Sequence, residues 1–563
     1  MRYTKHFSTK STSQRQPIPG RKDMVKNNAG GYVFKIDSWA RLARFLTIGS
    51  EGGTYYVGEA KLTVDNAKNV IACIEKDGVR VVQETLAVSD AGRAPSNDAA
   101  IFVLALCVAF GDEATKKAVE QHFNQIVRTG THLFTFVSFV NDLRGWGRYL
   151  CRLISNWYTE RKVQNLALQL IKYRNRAGWS HRDVLRVAHA RSSDALVDAL
   201  FRWVTHPEHV VALDEPYHFK YNSGNTFQSE DLGLLWAFQQ AQRQGISRKE
   251  VVKLITDFRL PREGIPTEFL GVDNSANLVV WDALLQNMPM TAMIRNLGNM
   301  TRVGLLKDLG AATTLVTGRL RDTEYVSKSR IHPINVLVAL KTYARGQGVR
   351  GSGTWKVVPQ IKDALEDTFY AAFGNVEPTG KPTLLGLDVS GSMSSWGYYG
   401  YASRRHGSRE STFKDITSPA ELAAATAMVT ARTEPNYAIM AFSNTFKDLK
   451  ISAKDSLDAV MKKTRDMNFG STDCSLPFTY AEKNRLEVDV FCVYTDNETW
   501  AGAVHPAQAL KSYRNKSGRS ARSVVCAFSP TEFTIADPND PLAIDISGFD
   551  SATPAFIADF SRG

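Results

Sequence analysis

Apolar residues recur at helical spacing through the first two thirds of the chain. Trp39–Thr47, Asp98–Phe110, Glu113–Phe123, His132–Leu143 and Lys249–Phe258 each carry such a stripe, separated by short Gly, Pro, Ser or Thr breaks. No fixed-period repeat stands out, so residues from about 30 to 365 read as one large α-helical region. The longest apolar run, Ala99 to Phe110, is well short of the roughly 20 residues a membrane span needs, and predicts a buried helix. FGNVEPTGKP (373–382) is a linker by composition. Beyond it, short apolar runs at Leu384–Val389, Tyr437–Phe442, Val488–Tyr494 and Ser523–Phe528 alternate with helical stretches such as Pro419–Thr433. That alternation predicts a parallel sheet with helices on both faces. The chain divides into a polar segment (1–28), a helical domain (29–372), the linker and a sheet domain (383–563).

Within the helical region, Lys172 to His189 concentrates the polar pattern. With 100° per residue from Val163, Leu166, Ala167, Leu170 and Ile171 share one side, and Asn165, Gln169, Lys172 and Arg176 the other. Gly178 reads as a helix stop, and Ser180 with Asp183 as the capping start of the next helix. There Val184, Leu185 and Ala188 face one way and Arg182, Arg186 and His189 the opposite way. Two basic stripes over an apolar underside are expected.

Charge makes these stripes more than a solvated face. From Arg144 to Arg191 there are eleven basic residues against two acidic ones, a balance of +9 within a chain total of +12. Trp146, Trp157, Tyr158, Tyr173 and Trp179 are interleaved, which fits a polyanion, above all nucleic acid. The sequence pI of about 9.2 agrees. Residues 1 to 28 hold seven basic residues and one acid, Asp23; they read as a disordered tail, or as an arm touching RNA. Six scattered cysteines without a CxxC pair suit a reducing compartment and argue against a disulfide framework or zinc cluster. With no apolar signal region at the N-terminus, a cytoplasmic protein is expected.

The first strand of the sheet domain ends in DVSGSMS, placing Asp388, Ser390 and Ser392 in a D-x-S-x-S pattern. FGSTDCS adds Thr472, and YTDNE adds Asp496. Loops at the carboxyl ends of strands gather in one crevice of an open α/β sheet, and these are hard oxygen donors suited to Mg²⁺ or a similar cation. Serines after a strand also make ordinary helix caps, but the three motifs in order resemble the metal-ion-dependent adhesion site of von Willebrand factor A domains. Asp473 and Glu498, close by in sequence, are expected to point elsewhere. The stretch 394–412, rich in Gly, Tyr, Arg and Ser, departs from that pattern and reads as a long loop on the metal face. No GxGxxG after the first strand, and no GxxxxGK[ST], HExxH or GxSxG, is present. Two aspartates and three hydroxyls make a poor two-metal nuclease, so no catalysis is expected.

GGTYYVGE (52–59), RTGTHLFTF (128–136), RGWGR (144–148), KYRNRAGWSHRDVLRVAH (172–189) and RNLGNMT (295–301) resemble the TROVE module of the Ro ribonucleoprotein autoantigen and its bacterial relatives, from about Gly30 to the C-terminus. The resemblance implies helices paired as HEAT-like repeats in a closed ring, joined to a von Willebrand factor A domain. It implies Y RNA held on the outer basic surface through Lys172, Arg176 and His189, to which the helical face adds Arg182 and Arg186. It implies single-stranded 3′ ends of misfolded RNA in a central hole, where Arg128, His132 and Arg295 sit in shared motifs, although salt bridges or core hydrogen bonds could equally occupy them. A monomer tethered through Y RNA to a 3′ exoribonuclease such as polynucleotide phosphorylase would follow. The alternatives are an adhesion-type protein in which the metal is primary, and a metal-dependent ribonuclease.

Overall fold

The computed structural model describes residues 11–49, 67–348, 353–374, 376–394, 418–465, 470–529 and 531–563. The GGTYYVGE motif and nearly all of 394–412 lie outside them. Up to Ala371 the chain is mainly helical. The Asp98–Phe110 helix is apolar all round and therefore has no solvent face: Ala99 through Val108 are all buried. Lys68–Asp90 and Glu113–Ile126 pack beside it. Lys68–Asp90 kinks at Asp77, and Gly78 lets it approach, since a Cβ there would lie 2.1 Å from Thr115 Oγ1. Each helix touches its near neighbours in sequence, and the succession returns to its start. Arg330 pairs with Asp90 at 3.0 Å, Asn335 Nδ2 donates to the Pro95 carbonyl, and His332 Nε2 lies 3.1 Å from the Arg93 carbonyl. A three-stranded meander, Val210–Ala212, His218–Tyr221 and Thr226–Gln228, interrupts the helices. No helix among the described residues is long and apolar enough to cross a membrane.

The C-terminal domain is a six-stranded sheet ordered Phe446–Asp448, Tyr437–Phe442, Thr383–Asp388, Val490–Thr495, Arg522–Ala527 and Ala543–Ser547. Only the first pair is antiparallel. Alternate residues feed two cores, as the period of two demands. Leu384, Phe491, Val493 and Val525 pack with Phe478, Leu510 and Tyr513. Leu385, Leu387, Cys492, Tyr494 and Cys526 face the other way, into a core that includes the alanine-rich Pro419–Thr433 helix and runs on into the helical region.

The expectation of a disordered N-terminal tail is corrected for residues 11–28. Met24–Lys26 and Tyr32–Lys35 form an antiparallel hairpin that adds to Phe533–Thr534 of the C-terminal domain. Gln14 is fully buried; it donates to Asp473 and the Val504 carbonyl and accepts from Thr499 Oγ1 and the Gly502 amide. Arg21 bridges Asp23 and Asp537. The segment is too polar to form a core, yet its polar atoms find partners far along the chain, and those bonds offset the ordering entropy. Residues 1–10 lie outside the described part.

Candidate nucleic-acid interface and metal centre

The basic face is built on the helices Arg148–Thr159, Val163–Lys172 and His181–Ala188. The capping box at Ser180 forms as expected: Ser180 Oγ accepts from the Asp183 amide and Asp183 Oδ2 from the Ser180 amide. Gly178 does not stop a helix. The preceding helix ends at Lys172, and a short hairpin follows in which Arg176 pairs with Trp179. Ala177 (φ 51°) and Gly178 (φ 80°) form its two-residue turn. Arg176 therefore leaves the helical face it was assigned to and sits, exposed, on the hairpin. Gln169 is also displaced from the polar face: it is buried, and its Oε1 accepts from the Gly130 amide.

Arg182 and Arg186 are exposed over buried Val184, Leu185 and Ala188, and exposed Arg148 opens the adjacent helix. His189 ends its helix in the left-handed region, φ 49°, and is exposed. Lys172 is half-buried, its Nζ 5.4 Å from the Tyr173 ring centroid. Trp146 and Trp179 pack with centroids 5.9 Å apart. Other members of the charge run have partners within the protein. Arg161 stacks on Trp157, donates to the Val127 carbonyl, and is lowered by burial to a pKa of about 10. Arg144 donates to the Val108 carbonyl, and Arg152 pairs with Glu120. Beneath the face, His181 Nδ1 lies 2.9 Å from the Tyr158 hydroxyl, and burial lowers its pKa to about 4.

The metal crevice forms where strand order reverses. Thr383–Asp388 lies between Tyr437–Phe442 and Val490–Thr495, so the loops after it diverge. Asp388 is fully buried; its Oδ1 accepts from the Ser390 amide at 2.9 Å and its Oδ2 from the Thr495 hydroxyl at 2.6 Å. The Ser390 and Ser392 hydroxyls are 3.1 Å apart. Ser392 also bonds the Asp496 carboxylate, which accepts from the Glu498 amide at 3.0 Å. Thr472 is buried in a loop tied to both flanks: the Asp473 amide donates to the Ser443 carbonyl, and the Trp500 and Ala501 amides donate to the Thr472 carbonyl.

The donor set fits a hard cation. Two buried carboxylates share the crevice, and neither has a Lys or Arg partner among the described residues. Burial, then the charge of Asp496, raises the pKa of Asp388, and burial raises that of Asp496. A divalent ion would cancel that repulsion with oxygen ligands only. Asp473 and Glu498 serve the N-terminal segment: Asp473 accepts from Gln14 and Ser475, and Glu498 from Asn28 Nδ2 at 2.7 Å and the Ala29 amide. Glu498 is pushed up to about 7, by burial first and by the Asp496 charge second.

Residues 25–342 match the TROVE domain, and residues 383–561 match the Ro60 vWA domain. The chain belongs to the Ro60 family. It is 38% identical over 541 residues to the RNA-binding protein RO60 of Deinococcus radiodurans, covering 96% of this chain and 95% of that one. It is 35% identical over 602 residues to the RNA-binding protein RO60 of Caenorhabditis elegans, covering 96% and 90%. The crystal structure of the Deinococcus radiodurans Ro protein superposes with a TM-score of 0.67 at 38% identity, covering 94% of this chain and all of that one. A helical TROVE region and a von Willebrand A domain are thus the two parts of this Ro60 family member.

The residues expected in a hole are not gathered on one pattern. Arg295 is exposed on the Met290–Arg302 helix. Arg128 is half-buried and donates to Ser89 and to the Gln125 carbonyl. His132 Nδ1 has no hydrogen-bond partner among the described residues. In the same RNLGNMT motif, Gly298 is explained by packing: a Cβ there would lie 2.7 Å from the Trp355 ring. Sequence reasoning missed Thr495, which orients Asp388, and Gln14 and Asn28, which hold the loops bearing Thr472 and Asp496. No local signal marks any of them.

Proposed function

We propose that this chain binds RNA through two parts of its helical region. Lys172, Arg176, Arg182, Arg186 and His189 form an outer surface that takes a small structured noncoding RNA of the Y RNA type, mainly through phosphates. Arg128, His132 and Arg295 contribute to a second site for single-stranded 3′ ends of misfolded RNA. The role that follows is noncoding RNA quality control, or adapting such RNA to a 3′ exoribonuclease such as polynucleotide phosphorylase. The observation that carries this reading is the exposed Arg182–Arg186 face over an apolar underside, beside exposed Arg148. It stands in a chain whose relatives are named RNA-binding proteins.

Asp388, Ser390, Ser392, Thr472 and Asp496 would hold a divalent cation, Mg²⁺ by the hardness of the donors. When bound, the ion would supply positive charge that stabilises the crevice and attracts an acidic group.

The test is a gel shift with two RNAs of equal charge, a duplex with a single-stranded 3′ tail and a blunt duplex. The tailed RNA should bind more tightly, and shortening the tail should weaken it. The blunt duplex should lose binding when Lys172 and Arg176 are both replaced by Ala. Equal affinity for tailed and blunt RNA would leave only the outer surface. Sequencing of RNA crosslinked to the protein would identify the ligand.

A further inference from the structure

The loops that carry Thr472 and Asp496 are not held by the sheet domain alone. They touch each other: the Trp500 and Ala501 amides donate to the Thr472 carbonyl, and the Cys474 amide donates to Thr499 Oγ1. The N-terminal segment then locks the pair. The Gln14 side-chain amide uses all four of its hydrogen-bonding positions on these loops and the residues just after them. Its Nε2 donates to Asp473 Oδ1 at 2.8 Å and to the Val504 carbonyl at 2.9 Å. Its Oε1 accepts from Thr499 Oγ1 at 2.6 Å and from the Gly502 amide at 3.1 Å. One neutral side chain thus ties the residue after Thr472 to the loop that follows Asp496.

The hairpin turn adds to this clasp. Buried Asn27 donates to the Thr499 carbonyl at 2.8 Å. Asn28 Nδ2 donates to Glu498 Oε1 at 2.7 Å, and the Ala29 amide donates to Glu498 Oε2 at 3.1 Å. The Tyr32 amide donates to the Gln14 carbonyl, so the two stretches of the segment brace each other. The approach leaves no room for side chains at two glycines. A Cβ on Gly31 would collide with the Thr499 carbonyl, and one on Gly502 with Gln14 Nε2. Asp473 and Glu498, each within two residues of a candidate ligand, are both held by the N-terminal segment.

We propose that residues 14–31 form an outer shell of the metal centre, in which Gln14 and Asn28 are positioning residues that set its affinity for Mg²⁺. The proposal rests on the reading that the crevice holds a divalent cation. Thr472 and Asp496 lie on separate loops, and a small cation that demands near-ideal octahedral geometry tolerates little error in their spacing. Partners that orient ligand-bearing groups contribute about 10- to 100-fold to metal affinity. Affinity for the cation is then a property of both ends of the chain. A sheet domain starting at 383 would present the same ligands and bind more weakly.

The experiment titrates the full chain with MgCl₂ in a calorimeter and follows its melting over the same concentrations. Gln14→Leu keeps much of the side chain's bulk and removes its four bonds. Asn28→Ala, at an exposed position, removes the bond to Glu498. Each should weaken Mg²⁺ binding about tenfold. Asn28→Ala should do so while its melting temperature without Mg²⁺ barely changes. A purely structural role predicts instead an unchanged Mg²⁺ affinity and a melting temperature lowered equally at every Mg²⁺ concentration, which would overturn the proposal. Should Gln14→Leu fail to fold, Asn28→Ala decides by itself. If the unmodified protein binds Mg²⁺ and Asn28→Ala binds it equally tightly, this proposal alone fails. If the unmodified protein shows no Mg²⁺ binding that Asp388→Ala abolishes, the metal reading fails and takes this proposal with it.

Discussion

The metal crevice and the basic face are built by opposite rules. In the crevice every candidate ligand is buried, and its orientation is fixed by strand ends and backbone amides. On the face the candidates lie at the surface: Arg182, Arg186 and His189 are exposed over an apolar underside, Arg176 is exposed on the hairpin, and Lys172 is half-buried beside Tyr173. The first arrangement couples ligand binding to stability. The second couples it to ionic strength. Substitutions in the two regions should therefore separate by readout.

The largest expected effect belongs to the core under the face. His181 has a folded pKa of about 4, below the usual 6.5. A depressed histidine means that the unfolded chain binds more protons between those values. Stability is then fully present above pH 6.5 and lost as pH falls toward 4, by up to about 3 kcal/mol for a fully buried ring. Urea midpoints across that window should show the loss, and His181→Gln should flatten it. Undiminished pH dependence in the variant would assign the effect to His132 and His332, which are depressed to the same value.

Next comes the crevice. Mg²⁺ at one hundred times its dissociation constant should stabilise the folded chain by about 2.7 kcal/mol. Asp388→Ala should abolish that increment while leaving affinity for structured RNA unchanged. Loss of RNA binding in a folded Asp388→Ala protein would break the separation of the two regions. A smaller effect is expected from Ser180→Ala, which removes a cap worth about 1 kcal/mol and should loosen the helix that carries Arg182 and Arg186. The smallest change in stability, within about 0.5 kcal/mol, should come from the double substitution of Arg182 and Arg186 by Ala. Yet it should lower the salt slope by about 1.8 on the duplex scale. An unchanged slope would move the RNA off this face.

How well the sequence foretold each region follows from the same contrast. The crevice residues sit at strand ends whose apolar runs are short and bounded, so three motifs in order placed them together. The bounds expected for Pro419–Thr433 and Asp98–Phe110 match the observed helices, the first opened by the Ser418–Glu421 capping box and the second apolar along nearly its whole length. The face was legible as a charge density but not residue by residue. Arg161 and Arg144 count in the charge total, yet they turn to backbone carbonyls left free at helix ends. The Ala177–Gly178 turn was missed because only one of its two left-handed residues is a glycine. The Ala543–Ser547 strand, half-buried on the sheet edge, lacks a clear apolar run. The N-terminal segment was misjudged because composition reports what a segment can bury by itself, and Gln14 is buried by residues more than 450 positions away.

That last pairing sets an order of events during synthesis. Gln14 leaves the ribosome with its partners Asp473, Thr499 and Gly502 still untranslated. At roughly 5–20 residues per second it waits about 25–100 seconds for them. In that interval the Met24–Lys35 hairpin offers an open edge, and the helical region is complete before its first residues have anywhere to dock. Fragments cut at the linker would carry the mismatch permanently. A C-terminal piece starting at 383 would lack the hairpin that pairs with Phe533–Thr534, and an N-terminal piece would carry that hairpin with nothing to cover it. The two ends of this chain are one folding unit, assembled last.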